Sequence, residues 1–415
     1  MNIFEYYLTK ISATIVDNKK NLKLENINDL KSVNLEVPPA HFNYDLSTNV
    51  SLVLSKVNKI NPNILANDIK KILIKNINHF EKIEVAGPGF LNIKLSEEGL
   101  IYNINDILKN RDSYGSKKGN NNYNIEFVSA NPTGPITVAH MRGAVLGDVI
   151  TSLLLNSGYK VTREYYVNNA GSQINILGNS LYKRYLELFG QSIKLNHDEY
   201  PGEYLIEIAK LIKNKDGDKW VEKNSKDKEN YFKTYAVKYL LNIIKKDLKL
   251  LNIEFDKFSF ETDIVSSNVI NDLFKILDDS DLLYNGVLEK PKGEDIDDWE
   301  PRSQLLFKSS QIFDDQDRAL KKSNGEWTYF ANDAAYHLDK FNRKFDKLIN
   351  IWGADHIGYI PRMKSVLKII SKSDDFLEIL TCQIVRLIKN NQLLKMSKRE
   401  GNFITLQEVY NHVGK

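Results

Sequence analysis

The sequence predicts an α/β protein in which a parallel sheet is preceded by a smaller, separate α/β unit. Three observations carry that expectation. Residues 125–129 read as a short apolar strand, 139–156 as a helical repeat ended by Gly158, and 159–167 as a strand rich in aromatic and β-branched residues. Strand, crossover helix and strand within roughly 40 residues is a βαβ unit, which makes the two strands parallel and puts a ligand site at their carboxyl ends, here around 129–140. A further apolar strand at 348–352, followed by a helical stretch at 361–370, resumes the same sheet. The polar run 115–122, Gly-Ser-Lys-Lys-Gly-Asn-Asn-Asn, has no apolar side chain to bury and marks the boundary between the units.

Before that boundary the pattern predicts a helix over 3–16, an apolar stripe at Val50, Leu54 and Val57, and a helix over 65–76. Strands at 83–85 and 90–95 follow, joined by the turn Ala86-Gly87-Pro88-Gly89. After it, helix 139–156 shows periodicity at Met141, Val145, Val149 and Leu153. Residues 229–252 predict a long amphipathic helix burying Phe232, Ala236, Leu240, Ile243 and Leu251, with Lys233, Lys238, Lys245, Lys246 and Lys249 as a solvated face rather than an RNA patch. The segment 283–288 predicts a hairpin turning at Asn285-Gly286. The expected organisation is a small domain over 1–112, a linker over 113–122, and a parallel-sheet domain over 123–400 with an inserted helical and hairpin region at about 170–325. Residues 401–415 are read as the start of a further connection.

Composition narrows the class. A 415-residue chain with 42% hydrophobic and 27% charged residues has the make-up of a folded globular protein of two to three domains. The single cysteine, Cys382, excludes an internal disulfide and no Cys/His group has zinc-site spacing, so a cytoplasmic protein without a structural metal is expected. The apolar stretch 139–155 is interrupted by Arg142 and Asp148, which argues against a membrane role. With 57 basic against 54 acidic residues the net charge is only +3, so a nucleic-acid partner has to be met by a local basic patch.

Neither the G-x-x-x-x-G-K-[ST] loop nor G-x-G-x-x-G is present, so phosphate is not cradled in either common way. Two other segments suit it. In Pro135-Ile136-Thr137-Val138-Ala139-His140 an imidazole stands at a helix N-terminus, where free N–H groups and the helix dipole favour anions. In 394–402, Lys395, Lys398 and Arg399 with Ser397 form a cationic, glycine-containing loop of the kind that closes over pyrophosphate.

Taken in order, these segments resemble the class I aminoacyl-tRNA synthetases, marked by a HIGH-like tetrapeptide and a KMSKS-like loop, and within them the arginyl-tRNA synthetases of bacterial type. The resemblance runs through A-G-P-G-F-L-N at 86–92, S-A-N-P-T-G-P at 129–135, Y-Y-V-N-N-A-G at 165–171, Y-P-G-E-Y at 200–204, A-Y-H-L-D-K-F at 335–341, W-G-A-D-H at 352–356 and K-M-S-K-R at 395–399. It implies a Rossmann-type catalytic domain with a small tRNA-contacting N-terminal domain. It also implies ligation of L-arginine to tRNA(Arg) through arginyl-adenylate, with ATP as substrate, Mg2+ as phosphate counterion, and a cytoplasmic enzyme acting as a monomer. By the family pattern His140, Lys395 and Lys398 are catalytic, and Thr137, Ala139, His140, Gly143, Met396, Ser397 and Lys398 bind ATP.

The same pattern assigns arginine to Tyr329 and Asp333, four residues apart and so on one helical face, together with Asn131, His356 and Glu126. A carboxylate meeting a planar guanidinium is the chemistry such a pocket needs. The pattern departs at Thr137 and Ala139, where the family has its first histidine and its glycine, and at Asn169, where it usually has aspartate. The family continues beyond its clamp loop into a helical anticodon-binding domain, which this sequence is read as lacking. The reading set against the enzyme is a tRNA-binding module of the same fold without adenylate chemistry.

Overall fold

The computed structural model describes residues 2–116, 119–222, 226–288, 302–383, 385, 387–389, 392–394 and 403–414. The chain divides into two compact units, residues 1–118 with 156–158, and residues 119–155 with 159–415.

In the first unit, helices Ile3–Asp17, Val50–Asn58, Pro62–Asn76 and Glu97–Asn110 accompany a four-stranded antiparallel sheet. Its strands run Leu35–Glu36, Leu46–Thr48, Phe90–Leu95, Phe80–Ala86 across the sheet. Tyr7, Ile11 and Ile15 sit one turn apart and are fully buried against Leu65, Ile69 and Leu73 of a second helix with the same spacing. Asn2, Asn61 and Ser96 cap three of the helices by accepting from backbone N–H groups. The turn joining the last two strands places Gly87 and Gly89 at positive φ, +53° and +132°, which other residues adopt with difficulty.

The second unit is built on five parallel strands: β1 (Asn122–Glu126), β2 (Lys160–Val167), β3 (Lys257–Phe260), β4 (Lys347–Gly353) and β5 (Leu377–Cys382). They lie in the order β5-β4-β1-β2-β3, so the chain winds outward in one direction from β1 and then in the other. Between β1 and β4 the winding reverses, and there the connections leave a crevice at the strands' carboxyl ends. The helices that shape it are α1 (Val138–Asn156), α2 (Gly171–Glu187), α3 (Lys226–Leu250), α4 (Tyr329–Asn342) and α5 (Ile360–Ser371).

Five expectations change. The first strand stops at Glu126, because Val128 and Ser129 turn the chain at positive φ, +67° and +38°. Helix α1 buries Val138, Ala144, Gly147 and Thr151, whereas Val145, Val149 and Leu153 are about half exposed or more. The reason is close approach: a Cβ on Gly147 would stand 2.2 Å from the Phe127 ring, so the sheet-facing side of the helix is the one with small residues. That packing explains why α1, although long and apolar enough by length and composition to cross a membrane, is a sheet-packed helix here. Asn285 and Gly286 make no turn; they lie within strand Leu283–Gly286, paired to Leu305 and Gln304. The stretch 170–325 is not one insertion, since β3 within it completes the edge of the main sheet. In α3 the buried stripe includes Ile244, while Ile243 is only partly covered, as is Leu251 just past the helix end.

Candidate active site

At the crevice lies a cavity of about 320 Å³ lined from β1, β2, β4, α4 and the segments that follow β1 and β4. Glu126 ends β1, Val128 and Ser129 form the turn after it, Tyr166 comes from β2, and Tyr329, Asp333, Tyr336 and His337 from α4. Trp352 and Gly353 end β4, and His356 and Tyr359 follow in the short helix Ala354–Tyr359. Val128 is a β-branched residue held at φ +67°, a conformation that costs on the order of 1–3 kcal/mol and survives only where the surroundings impose it. The turn is fastened by Ser129, whose Oγ donates to Glu126 Oε1 at 3.0 Å and accepts from the Tyr166 amide at 3.0 Å.

A chain of buried polar contacts runs beneath the cavity. Lys340 Nζ, fully buried, donates to Glu126 Oε2 at 2.5 Å and to Asn350 Oδ1 at 3.2 Å. The Asn350 amide then donates to His337 Nε2 at 2.8 Å, and His337 Nδ1 donates to the Asp333 carbonyl at 2.7 Å. Burial, reinforced by the Lys340 charge, lowers the His337 pKa to about 3, so the ring is neutral. Beside this chain, Glu164 of β2 accepts from Asn124 of β1 at 2.6 Å, Ser259 of β3 at 2.6 Å, Tyr336 at 3.0 Å and, in a fork, from Arg343 at 2.9 Å through both terminal nitrogens. Burial opposes its charge, but the Lys340 field and the Arg343 and Ser259 bonds prevail and hold Glu164 at about 2. One carboxylate thereby ties three strands to α4 and its following turn.

Asp333 lines the cavity from α4. Its carboxyl accepts from Tyr359 Oη at 2.8 Å. Burial raises its pKa to about 7; the Tyr359 bond works downward, and the neighbouring charges of Glu261 and Glu126 push further up. Glu261 is itself raised by burial, against a hydrogen bond from Asn332 that lowers it. The Tyr166 hydroxyl is buried at the cavity and has no hydrogen-bond partner among the described residues. Clustered carboxyls, an unsatisfied phenol and a neutral histidine make a site for a cationic ligand rich in N–H donors.

Tyr329, Asp333, His356 and Glu126, singled out from sequence, all line this cavity. Tyr329 is 59% exposed at the rim, and the Glu126 carboxylate is already engaged by Lys340 and Ser129. Asn131 is not in the lining; its amide donates to Gln173 Oε1 at 3.0 Å. Tyr166 and Tyr359 carry no role on sequence grounds. The signal for Tyr359 is its place one helical turn beyond His356; nothing local distinguishes Tyr166 from its neighbour Tyr165, whose hydroxyl is satisfied by the Ala130 carbonyl at 2.7 Å.

The segment before α1 is pinned from the far end of the chain. Val138 N donates to the Ile404 carbonyl and Leu406 N to the Ile136 carbonyl, bracketing a bridge between Thr137 and Thr405. Thr405 opens helix Leu406–Val413 with a capping box. His140 is oriented from within the motif: its Nδ1 lies 2.9 Å from Thr137 Oγ1 and accepts from the Thr137 amide at 3.4 Å, leaving Nε2 to carry the ring proton. Ala139 is exposed and Gly143 approaches the Ile351 side chain of β4. Lys395, Met396, Ser397 and Lys398 lie outside the described residues; the strands Leu387–Lys389 and Gln392–Leu394 pair antiparallel immediately before them. No group of three His, Cys, Asp or Glu side chains suited to a metal gathers among the described residues.

A family described as the arginyl tRNA synthetase N-terminal domain matches residues 8–95, and one described as the class I (R) tRNA synthetase catalytic domain matches 103–413. The chain is 42% identical over 420 residues to an arginine-tRNA ligase of Ruegeria sp., with all of this chain and 72% of that protein covered. To an arginine-tRNA ligase of Pelagibacter ubique it is 44% identical at the same coverage. Among solved structures, a putative arginyl-tRNA synthetase from Campylobacter jejuni matches with a TM-score of 0.66 at 34% identity, covering 77% of this chain and 67% of that one. The Thermus thermophilus arginyl-tRNA synthetase, at 17% identity and TM-score 0.65, shares the fold over 99% of this chain and 69% of its own.

Proposed function

The chain belongs to the arginyl-tRNA synthetase family, and from that premise we propose that it ligates L-arginine to tRNA(Arg) in two ATP-dependent steps. The observation that carries this reading is Asp333, half-buried at the cavity with Glu126 and Glu261 acting on it and Tyr359 and Tyr166 beside it. A guanidinium entering there gives Asp333 a counter-cation and the idle Tyr166 oxygen a donor, neither of which a described residue supplies. Tyr329 and His356, which also line the cavity, contact the rest of the amino acid. Asn131 acts from beyond the lining, through its bond to Gln173.

ATP is placed with its phosphates toward the start of α1, where Thr137, Ala139, His140 and Gly143 stand, and where the helix dipole and the imidazole Nε2–H favour anionic oxygen. Lys395 and Lys398, with Met396 and Ser397, close over the pyrophosphate by the family pattern. Mg2+ arrives with ATP as the counterion of its phosphates. The arginine carboxylate attacks the α-phosphorus and pyrophosphate leaves; the terminal adenosine's 2′-hydroxyl then attacks the arginyl carbonyl and AMP leaves. In both steps the chain's work is alignment and neutralisation of moving charge. Residues 1–112 are assigned to tRNA contact, 113–122 to the linker and 123–400 to catalysis, in the cytoplasm where translation enzymes act.

Incubation with radiolabelled arginine, ATP, magnesium and tRNA(Arg) tests the reading. Acid-insoluble arginyl-tRNA should accumulate, and citrulline, which has the shape of arginine without its charge, should not compete. Equal competition by citrulline would remove the assigned role of Asp333.

A further inference from the structure

Thr137 stands just before α1 and Thr405 caps the helix Leu406–Val413, and these two helix-opening residues face one another in an antiparallel bridge. The flanking bonds, from Val138 N to the Ile404 carbonyl at 3.0 Å and from Leu406 N to the Ile136 carbonyl at 2.8 Å, make the threonines the non-hydrogen-bonded pair of a short ladder. Helix ends fray unless groups outside the helix engage them, so what fixes this ladder fixes the start of α1.

The Thr405 side of the ladder is fixed twice. The capping box with Glu408 sets the Thr405 main chain at φ −77° and ψ 158°. Leu406, the next residue, is fully buried in the core cluster that also holds Ile125, Phe127, Ile136 and Ala144, and it is the one buried residue of its helix. A single side chain therefore anchors this end of the chain in the sheet's core. Across the ladder, residue 137 orients the His140 ring: its amide and Oγ1 lie 3.4 and 2.9 Å from Nδ1, and its carbonyl accepts from the His140 amide at 3.0 Å.

We propose that Leu406 is a positioning residue for adenylate formation: its amide bond to Ile136 and its buried side chain hold the Thr137 main chain, from which the His140 ring is aimed. The proposal rests on the reading of the start of α1 as the place of the ATP phosphates, and it adds a residue that acts there without touching substrate. Leu406 works through two intermediaries, Ile136 and Thr137, so its loss reaches the phosphates as misalignment, to which a reacting geometry is sensitive.

Leu406→Pro tests this by deleting the amide bond while keeping the helix. Proline is tolerated at the first helical position, and Thr405 already has the extended conformation that a residue before proline adopts. Leu406→Ala keeps the amide and empties the buried site. Leu248→Ala empties an equally buried site of the same core, on α3, and serves as the control. Nitrogen-15 NMR of the imidazoles, with His140→Asn identifying the signal, reads the ring directly. The parent and Leu248→Ala should show one tautomer with the proton on Nε2, and Leu406→Pro should show the averaged signals of a ring exchanging between both. In pyrophosphate exchange with tRNA(Arg) present, Leu406→Pro should lower kcat by about tenfold and leave the KM for arginine unchanged, as for a group that matters in the transition state. Leu406→Ala should show the same changes to a lesser degree and makes the comparison if the proline variant does not fold. An unchanged tautomer in the folded Leu406 variants, equal changes in Leu248→Ala, or a rise in the arginine KM matching the fall in kcat overturns the proposal. A parent without pyrophosphate exchange refutes the functional reading instead, and the imidazole signals then still decide whether Leu406 positions the ring.

Discussion

Lys340 and Glu126, 214 residues apart in the chain, meet at 2.5 Å as a buried ion pair that joins α4 to the end of β1. Removing either partner leaves a charge without water or counter-ion. Lys340→Met should therefore lower stability by about 3–5 kcal/mol, and adding Glu126→Gln should recover much of it. Chemical denaturation of the parent, the single variant and the double variant checks both expectations.

If Asp333 receives the guanidinium as proposed, arginine binding should depend on pH. Its pKa in the folded protein is about 7 against an ordinary 3.8, so near neutrality the free protein holds a proton that a guanidinium must displace. Affinity should fall as pH drops from 8 to 6, and calorimetry in buffers of different ionisation enthalpy should detect proton release on binding. The stability of the free protein runs the other way. The native state keeps this proton above pH 3.8 while the unfolded chain loses it, so the contribution of Asp333 becomes less favourable as pH rises toward 7. Asp333→Asn should abolish both trends and weaken arginine binding by at least tenfold.

The Tyr166 hydroxyl is idle in the free protein, so Tyr166→Phe should cost little or no stability. In the complex it gains a partner, and its loss should weaken arginine binding by about tenfold, in line with the roughly 1–1.5 kcal/mol of an ordinary hydrogen bond. Parallel melting curves and arginine titrations separate the two effects.

Thr137 holds the His140 ring through Nδ1. Thr137→Val keeps the shape and removes the hydroxyl, so pyrophosphate exchange should slow by about tenfold with arginine affinity unchanged, as expected for a group that matters in the transition state. His140→Asn should be slower still. Equal rates in Thr137→Val and the parent would mean that the backbone amide suffices to orient the ring.

Much of this arrangement is legible in the sequence, and the exceptions share a cause. Helices 3–16, 65–76 and 361–370 lie close to their observed limits because their apolar spacing reports a local property. Asp333, Tyr329, His356 and Glu126 stand out by motif and do share one cavity. The buried face of α1 escapes a periodic reading because contact with Phe127 selects for smallness at Gly147, which a hydrophobic pattern does not register. Asn285-Gly286 has the chemistry of a tight turn, but pairing with Gln304 and Leu305 overrides it. Neither Lys340 nor Arg343 can be matched to its carboxylate by spacing, since the partners lie 214 and 179 positions away.

The strand order β5-β4-β1-β2-β3 also governs how the protein emerges during synthesis. β1 can pair with β2 almost at once, but its other neighbour begins at Lys347, 221 residues after Glu126. At roughly 5–20 residues per second, that interval leaves one side of β1 without its hydrogen-bonding neighbour for about 10–45 s on the ribosome. Glu126 waits 214 residues for Lys340, and Glu164 of the neighbouring β2 waits 179 for Arg343, so the nascent sheet carries uncompensated carboxylates at and beside the edge that is still open. Charge on an unfinished edge discourages pairing with other chains. The residues that later anchor the catalytic unit can thus guard it against aggregation before it closes.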